Sequence, residues 1–202
     1  MNGITTLAVF DFDDTLIKGD SLWPFLVNVA GPFRAALALA DALYQFARRY
    51  LKDKNDPEIA DRRTFIKAHM LRRVLAGHTV PDLASAVEKL RGWVRWNEPV
   101  RRALFEHYEK GHQIAIVSGG LDLYLPELLS ALPPRALICT RMEARDGVLT
   151  GEMLSGNCVR NRKAEILGNY IAKNGPFAES WGYGNFPHDV PMLELVKHRI
   201  IV

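Results

Sequence analysis

The amino-acid sequence predicts an α/β protein, a doubly wound parallel sheet interrupted after its first strand by a helical insertion. Three observations carry this reading. Short apolar runs recur at Leu7–Phe10, Ile114–Val117, Ala136–Cys139, Trp181–Gly184 and Arg199–Val202, as buried strands do. Helical patterns of suitable length lie between the later runs, including Asp122–Leu132 and Arg162–Lys173, and strands alternating with helices form parallel sheets covered on both faces. The first gap is different: Lys18 to Glu98 carries helical periodicity and no clear strand.

The elements follow in order. Leu7–Phe10 is the first core strand, and residues 18–98 form the insertion, with hinges near Ile17–Asp20 and Asn97–Pro99. The core is therefore residues 1–17 and 99–202. Trp23, Phe25 and Phe33 are expected in the interior of the insertion, and Trp93 and Trp96, three apart, on one helix face. The helix Val100–Lys110 ends at Gly111, a suitable residue just past a helix terminus. Strand Gln113–Val117 follows, then Ser118-Gly119-Gly120, expected to open a helix. Asp146-Gly147, between the alternating segments of Thr140–Leu154, predicts a β-hairpin. Val190-Pro191-Met192 reads as a helix start and Arg199–Val202 as the last core strand.

With 202 residues, 48% of them hydrophobic, the chain can bury a full core. A formal charge of +3 is too small to indicate a nucleic-acid partner. The excess is uneven, because Arg34 to Arg73 holds ten Lys/Arg against five Asp/Glu. Such a surplus is either a solvated helical face or a receiver for an anionic head group at a membrane surface. The cysteines, Cys139 and Cys158, form no CxxC pair, so a reducing cytoplasm is expected. No basic segment precedes an apolar one at the N-terminus, so no secretory signal is expected. Ser21–Phe33 is uncharged but broken by Pro24, Gly31 and Pro32, and falls short of the roughly 20 apolar residues of a spanning helix. A helix lying on the membrane surface stays open, giving a cytoplasmic protein with peripheral membrane contact as the expectation. Nothing in the sequence specifies the oligomeric state.

The chemistry concentrates after the strands. Asp11 and Asp13, with Thr15 two residues on, follow the first strand, where open α/β sheets bind ligands. Two carboxylates this close repel unless a cation or shared proton offsets them, which suggests a divalent metal and an anionic substrate. Asp11 can act as a nucleophile on phosphorus and Asp13 as the acid and then the base. Thr15 would brace the loop and hydrogen-bond one acid. The ordinary alternative is turn chemistry. Ser118 and Gly119, after the second strand, can bind phosphate through the hydroxyl and backbone N–H groups, or simply cap the next helix. Lys163 opens a helix and could neutralise the nucleophile; Arg160 and Arg162 compete for that role. Asn185 and Asp189 follow the fourth strand and could complete an oxygen site for Mg²⁺, with Asp189 also suited to cap a helix. The six histidines show no metal-ligand pattern with one another.

The ordered set DFDDT, VSG, a helical lysine and GNxxxD resembles the haloacid-dehalogenase (HAD) superfamily, over essentially the whole chain. The resemblance implies a Rossmann-like core with an inserted helical cap of the C1 type. It implies an aspartyl-phosphate on Asp11, phosphate binding by Ser118 and Lys163, and Mg²⁺ held by the Asp11 side chain, the Asp13 carbonyl and Asn185. An Asp two residues after the nucleophile implies phosphate-ester hydrolysis or phosphoryl transfer. The position of the insertion is similar to the phosphoserine-phosphatase-like branch, subfamily IB. The stretches Asp146–Gly151 and Gly156–Cys158 resemble bacterial phosphatases related to CicA and phosphatidylglycerophosphatase C. In that branch an acid near Asp20 contacts the substrate's amine; read from the residues, Asp20 is more simply the cap of the helix that starts at Ser21. One departure stands out: Asn185 occupies a position where the family usually has Asp, which removes one negative charge and should raise the Mg²⁺ requirement. The substrate expected is a small polar phosphomonoester or a phospholipid head-group phosphate. The alternatives are a phosphotransferase with the same nucleophile and an impaired HAD-fold binding protein.

Overall fold

The computed structural model describes residues 5–202; residues 1–4, with which the expected core begins, lie outside the described residues. The chain forms two compact units.

The α/β unit comprises the described part of Met1–Ser21 together with Val94–Thr140 and Asn157–Val202. Its sheet contains β1 (Thr5–Phe10), β2 (Gln113–Leu121), β3 (Ala136–Thr140), β6 (Phe177–Gly184) and β7 (His198–Ile201), in the order β3-β2-β1-β6-β7. Every pairing is parallel. The order reverses at β1, which pairs with β2 on one side and β6 on the other. The end of β1 at such a reversal of strand order is the position at which ligands bind in this architecture. The unit's helices are α5 (Glu98–Glu109), α6 (Leu125–Leu128), α7 (Asn161–Asn174) and α8 (Val190–Leu193). Leu7 and Val9 of β1, Ala115 and Val117 of β2 and Leu167 of α7 share one core with Met192 and Val196. Alternate strand residues point to one face and helix residues three or four apart to one stripe, so these positions meet.

Three local readings are corrected. Ser118-Gly119-Gly120 does not open a helix: β2 continues through it to Leu121, with a register shift against β3 after Val117. The helix expected over Asp122–Leu132 is only the single turn α6, with Pro126 at its start. Trp96, expected on a helix face with Trp93, instead bridges to Ile17 as extended chain and meets the Phe12 ring edge-on at 6.2 Å.

The helical unit comprises Leu22–Trp93 and Arg141–Gly156. It holds α1 (Leu22–Ala30), α2 (Pro32–Lys52), α3 (Arg62–Leu75), α4 (Ala84–Trp93) and the hairpin β4 (Met142–Arg145) with β5 (Val148–Met153). The hairpin lies in the part of the sequence read as core, yet it packs with the helices. The Gly77 N–H donates to the Leu149 carbonyl and the Leu149 N–H to the His78 carbonyl. Gly151, at φ +81°, lies so close to α3 that an added Cβ would stand 2.6 Å from the Arg72 Cα. Asp146 and Gly147 both take positive φ at the hairpin tip, as the Asp-Gly pair predicts.

Of the aromatics expected inside this unit, Phe25 is buried but Trp23 is 40% and Phe33 74% exposed. The buried residues of α2 are Ala35, Ala38 and Ala42, small enough for α1 and α3 to approach closely. No single described helix is long and apolar enough to cross a membrane; only α1 and α2 together reach that length and composition, across a 120° bend.

Candidate active site

β1 ends at Phe10, and the chain turns through Phe12–Leu16 in one wide π-type turn closed by the Ile17 N–H on the Phe12 carbonyl. Asp14 makes the turn with φ 56°, and its carboxylate accepts the Gly19 N–H at 3.0 Å. Asp11 stands at the strand end, its N–H donating to the Tyr183 carbonyl of β6 at 2.9 Å. Its side chain is buried.

Lys163, on the first turn of α7, reaches into the same place. Its Nζ donates to Asp11 Oδ1 at 2.5 Å and to Asp189 Oδ1 at 2.7 Å. Of the two competing cations, Arg162 is instead paired with Glu165 on its own helix. Asp189 precedes α8, but its side chain does not cap that helix. It instead accepts the Asn185 N–H at 3.0 Å and the Lys163 ammonium. That fold-back explains Gly184, where a Cβ would stand 2.8 Å from the Asp189 Cβ. The Asn185 amide nitrogen donates to the Asp13 carbonyl at 3.3 Å.

Three segments separated by up to about 180 positions thus meet at the end of β1: Asp11 with Asp13, Lys163, and Asn185 with Asp189. Two buried carboxylates against one ammonium leave a net negative charge in a site shielded from water. Burial pushes Asp11 up to about 6, the Asp189 charge adds to this, and Lys163 opposes it. Burial alone would lower Lys163, but the two carboxylates more than offset it and hold the ammonium charged. Burial also raises Asp13, to about 7, with the exposed Asp20 charge adding and the Ser21 hydrogen bonds opposing. A carboxyl that titrates near neutrality suits an acid that later acts as a base.

The supporting residues are less direct. The buried Ser118 hydroxyl accepts the Gly120 N–H at 2.9 Å, and the Gly119 carbonyl accepts the Thr140 hydroxyl at 2.9 Å. Thr15 is buried and close enough to favour the Asp11 carboxylate, yet its hydroxyl makes no hydrogen bond of ordinary geometry among the described residues.

Two further participants lie outside the motifs. The Ser21 N–H holds Asp13 Oδ1 at 2.8 Å, and the Ser21 hydroxyl donates to the buried Tyr124 phenol at 2.9 Å. Ser21 was legible as the residue after Asp20; nothing in the pattern pointed to Tyr124, 103 positions away. Asn97 ties the return of the chain to the turn, its side chain donating to the Thr15 carbonyl at 3.0 Å and its N–H to Leu16.

Among the described residues no three His, Cys, Asp or Glu side chains converge as metal ligands. His107 and His112 do meet, Nδ1 to Nδ1 at 2.7 Å, but as a hydrogen-bonded pair. A hard divalent cation such as Mg²⁺ does not need such a cluster, since it takes one or two carboxylates, carbonyls and water. The uncompensated negative charge, the Asp13 carbonyl and the amide beside it fit that demand.

The model of the haloacid dehalogenase-like hydrolases matches residues 8–194. A histidinol-phosphatase from Neisseria meningitidis is 26% identical over 206 residues, covering 97% of this chain and 89% of the relative. A probable phosphatase from Mycobacterium tuberculosis is 29% identical over 205 residues, 98% of this chain and 68% of the relative. A phosphoserine phosphatase from Streptomyces coelicolor is 27% identical, covering 93% of this chain and 41% of the relative. Among solved structures, a protein of unknown function from Bordetella pertussis superposes with TM-score 0.76 at 26% identity, covering 98% of this chain and 89% of its own. A phosphoserine phosphatase solved as a phospho-aspartyl intermediate analogue shares the fold, with TM-score 0.64 at 19% identity over 98% and 86% of the two chains. With its motifs gathered at one strand end and the family match spanning nearly its whole length, the chain belongs to the haloacid dehalogenase-like hydrolases.

Proposed function

We propose that this hydrolase is a Mg²⁺-dependent phosphatase of small polar phosphomonoesters, working through an aspartyl-phosphate on Asp11. One observation carries the reading: the Asp11 carboxylate, at the strand end, is locked onto a buried lysine that is shared with a second carboxylate. In the mechanism an Asp11 oxygen attacks phosphorus while Asp13 protonates the departing alkoxide. Lys163 and the Ser118 hydroxyl hold the phosphoryl oxygens as their charge shifts. Asp13, now ionised, takes a proton from water, and the resulting hydroxide displaces Asp11 from phosphorus to release phosphate. Asp189 positions Lys163 and the Asn185 backbone. The Asp11 carboxylate, the Asp13 carbonyl and the Asn185 amide oxygen would hold Mg²⁺, whose charge would neutralise the phosphate and the excess negative charge of the site.

The two relatives named for histidinol and phosphoserine phosphates support a substrate that carries an amine. Asp20, exposed and close enough to Asp13 to perturb it, is the acid suited to that group. The helical unit, Leu22–Trp93 with Arg141–Gly156 rather than the expected 18–98, would correspond to the family's inserted cap, and a reducing cytoplasm would suit Cys139 and Cys158, which form no disulfide.

The test is a panel of phosphomonoesters with Mg²⁺, run beside Asp11→Asn. Turnover that vanishes in Asp11→Asn, with an acid-stable, hydroxylamine-labile phosphoenzyme in the native chain, supports the reading. Turnover that persists in Asp11→Asn overturns it. Within the panel, Asp20→Asn should raise KM for amine-bearing esters and leave the others unchanged.

A further inference from the structure

The exposed face of α2 is built against the ordinary burial rule. This 21-residue helix buries only alanines, Ala35, Ala38 and Ala42. Leu39 and Phe46 are half-buried, Phe46 against the Phe65 ring of α3, but most of its large apolar residues face outward: Phe33 is 74% exposed, Leu37 53%, Tyr44 64% and Leu51 82%. Leu43 and Tyr50 are exposed beside them. At 3.6 residues per turn these six fall within an arc of about 140°, and no charged residue shares it. Arg34, Arg48 and Lys52 run along one edge of that arc. None of these three cations forms an ion pair among the described residues, whereas Asp41, the acid on the same edge, is held by Arg73 at 3.0 Å.

We infer that α2 is an in-plane membrane anchor that docks the protein on anionic bilayers. The apolar arc enters the acyl boundary, and the Arg34, Arg48 and Lys52 edge meets lipid phosphates. Aromatic rings with a polar tip, Tyr44 and Tyr50, suit the boundary between apolar and wet layers. The charge pattern selects this occupant over a second copy of the chain. An antiparallel two-fold pairing of two α2 faces would set basic edges side by side, with the one nearby acid on each already spent on Arg73, and a parallel pairing would set each basic edge against an uncharged one. An anionic surface offers the complementary sign. Docking of this kind does not require a lipid substrate, nor does it depend on the catalytic reading.

The experiment is flotation of the full chain with vesicles of phosphatidylcholine alone or with roughly a third phosphatidylglycerol, at low and at physiological salt. The expected result is binding to the anionic vesicles only, weakening as salt rises. The Arg34→Gln/Arg48→Gln/Lys52→Gln variant should bind about a hundredfold more weakly, at roughly fivefold per cation. Phe33→Glu/Tyr44→Glu/Leu51→Glu should abolish binding, while turnover of p-nitrophenyl phosphate without vesicles stays as in the native chain. The substituted side chains are exposed, and circular dichroism checks the fold of both variants. Absence of native-chain binding to anionic vesicles overturns the proposal, as does binding unaffected by either variant. A concentration-dependent dimer that the glutamate variant dissociates, with no vesicle binding by the native chain, assigns the face to a second copy and also overturns it. If no phosphoester is turned over but vesicles are bound, the catalytic reading fails and this one stands.

Discussion

The α/β unit and the helical unit break the same rule in opposite directions. In the α/β unit charged groups are inside: Asp11, Lys163 and Asp189 are each no more than 5% exposed. In the helical unit large apolar groups are outside, with alanines taking the buried face of α2. Burying charge costs desolvation energy, and exposing apolar surface forgoes hydrophobic stabilisation of about 25 cal/mol per Å². Neither arrangement is what folding alone favours. In each unit, stability has been given up at the place for which a function is proposed.

The largest expected effect tests the buried charges. Lys163→Met leaves two carboxylates facing each other without their cation. Stability should fall by about 3–5 kcal/mol, as when one partner of a buried pair is removed. Turnover should drop by about three orders of magnitude or more, measured as kcat on whichever phosphoester the panel identifies. Near-native turnover in Lys163→Met would make the triad merely structural. Next in size is a purely steric control in the other unit. Gly151→Ala places a methyl against the α3 backbone at a positive φ. It should cost about 2 kcal/mol or more, seen as a Tm lowered by roughly 4–8 °C.

A smaller effect sharpens the role of Asn185. Asn185→Asp returns a carboxylate beside the Asp13 carbonyl, so the Mg²⁺ concentration for half-maximal activity should fall about tenfold. An unchanged metal dependence would show that this position does not contact the cation. The smallest effect concerns a charge that the α/β unit keeps neutral. Burial, with the neighbouring His112 and Lys110, lowers His107 from its ordinary 6.5 to about 4, while Glu106 opposes this weakly. Between those values the unfolded chain binds more protons than the folded one, so stability rises with pH across that window. The contribution is complete above pH 6.5 and is lost as pH falls toward 4. His107→Gln, which still offers a hydrogen bond to the Tyr183 phenol now 3.1 Å from His107 Nε2, should flatten the pH profile of Tm in that range.

The legible parts of the molecule were those with local causes. The five apolar runs became the five strands of the sheet, and Asp-Gly became the hairpin tip. Asp11 could be placed because a short buried run leads straight into it, and Lys163 because the family motif singled it out from Arg160 and Arg162. Composition and spacing had left those three cations equivalent. Ser118 was placed at the right strand but in the wrong conformation. Glycines after a serine suggest a helix opening, whereas the chain stays extended through them and resumes its pairing with β3 at Leu121 after a register shift. Phe33 was expected inside because aromatic residues usually are; its exposure follows from which stripe of α2 meets α1 and α3.

By itself the sequence determined the alternation of strands and helices, the long helical insertion, and which acids follow which strands. These depend on side-chain period, turn residues and apolar run length, all short-range properties. Only the tertiary structure decided that Lys163 bridges Asp11 and Asp189, that Ser21 and Tyr124 brace Asp13, that the hairpin joins the helices, and that α2 turns its large apolar residues outward. Each of these is a pairing between groups far apart in the chain. Which partners meet is set by the order of strands and the packing of faces, and no local pattern encodes that choice.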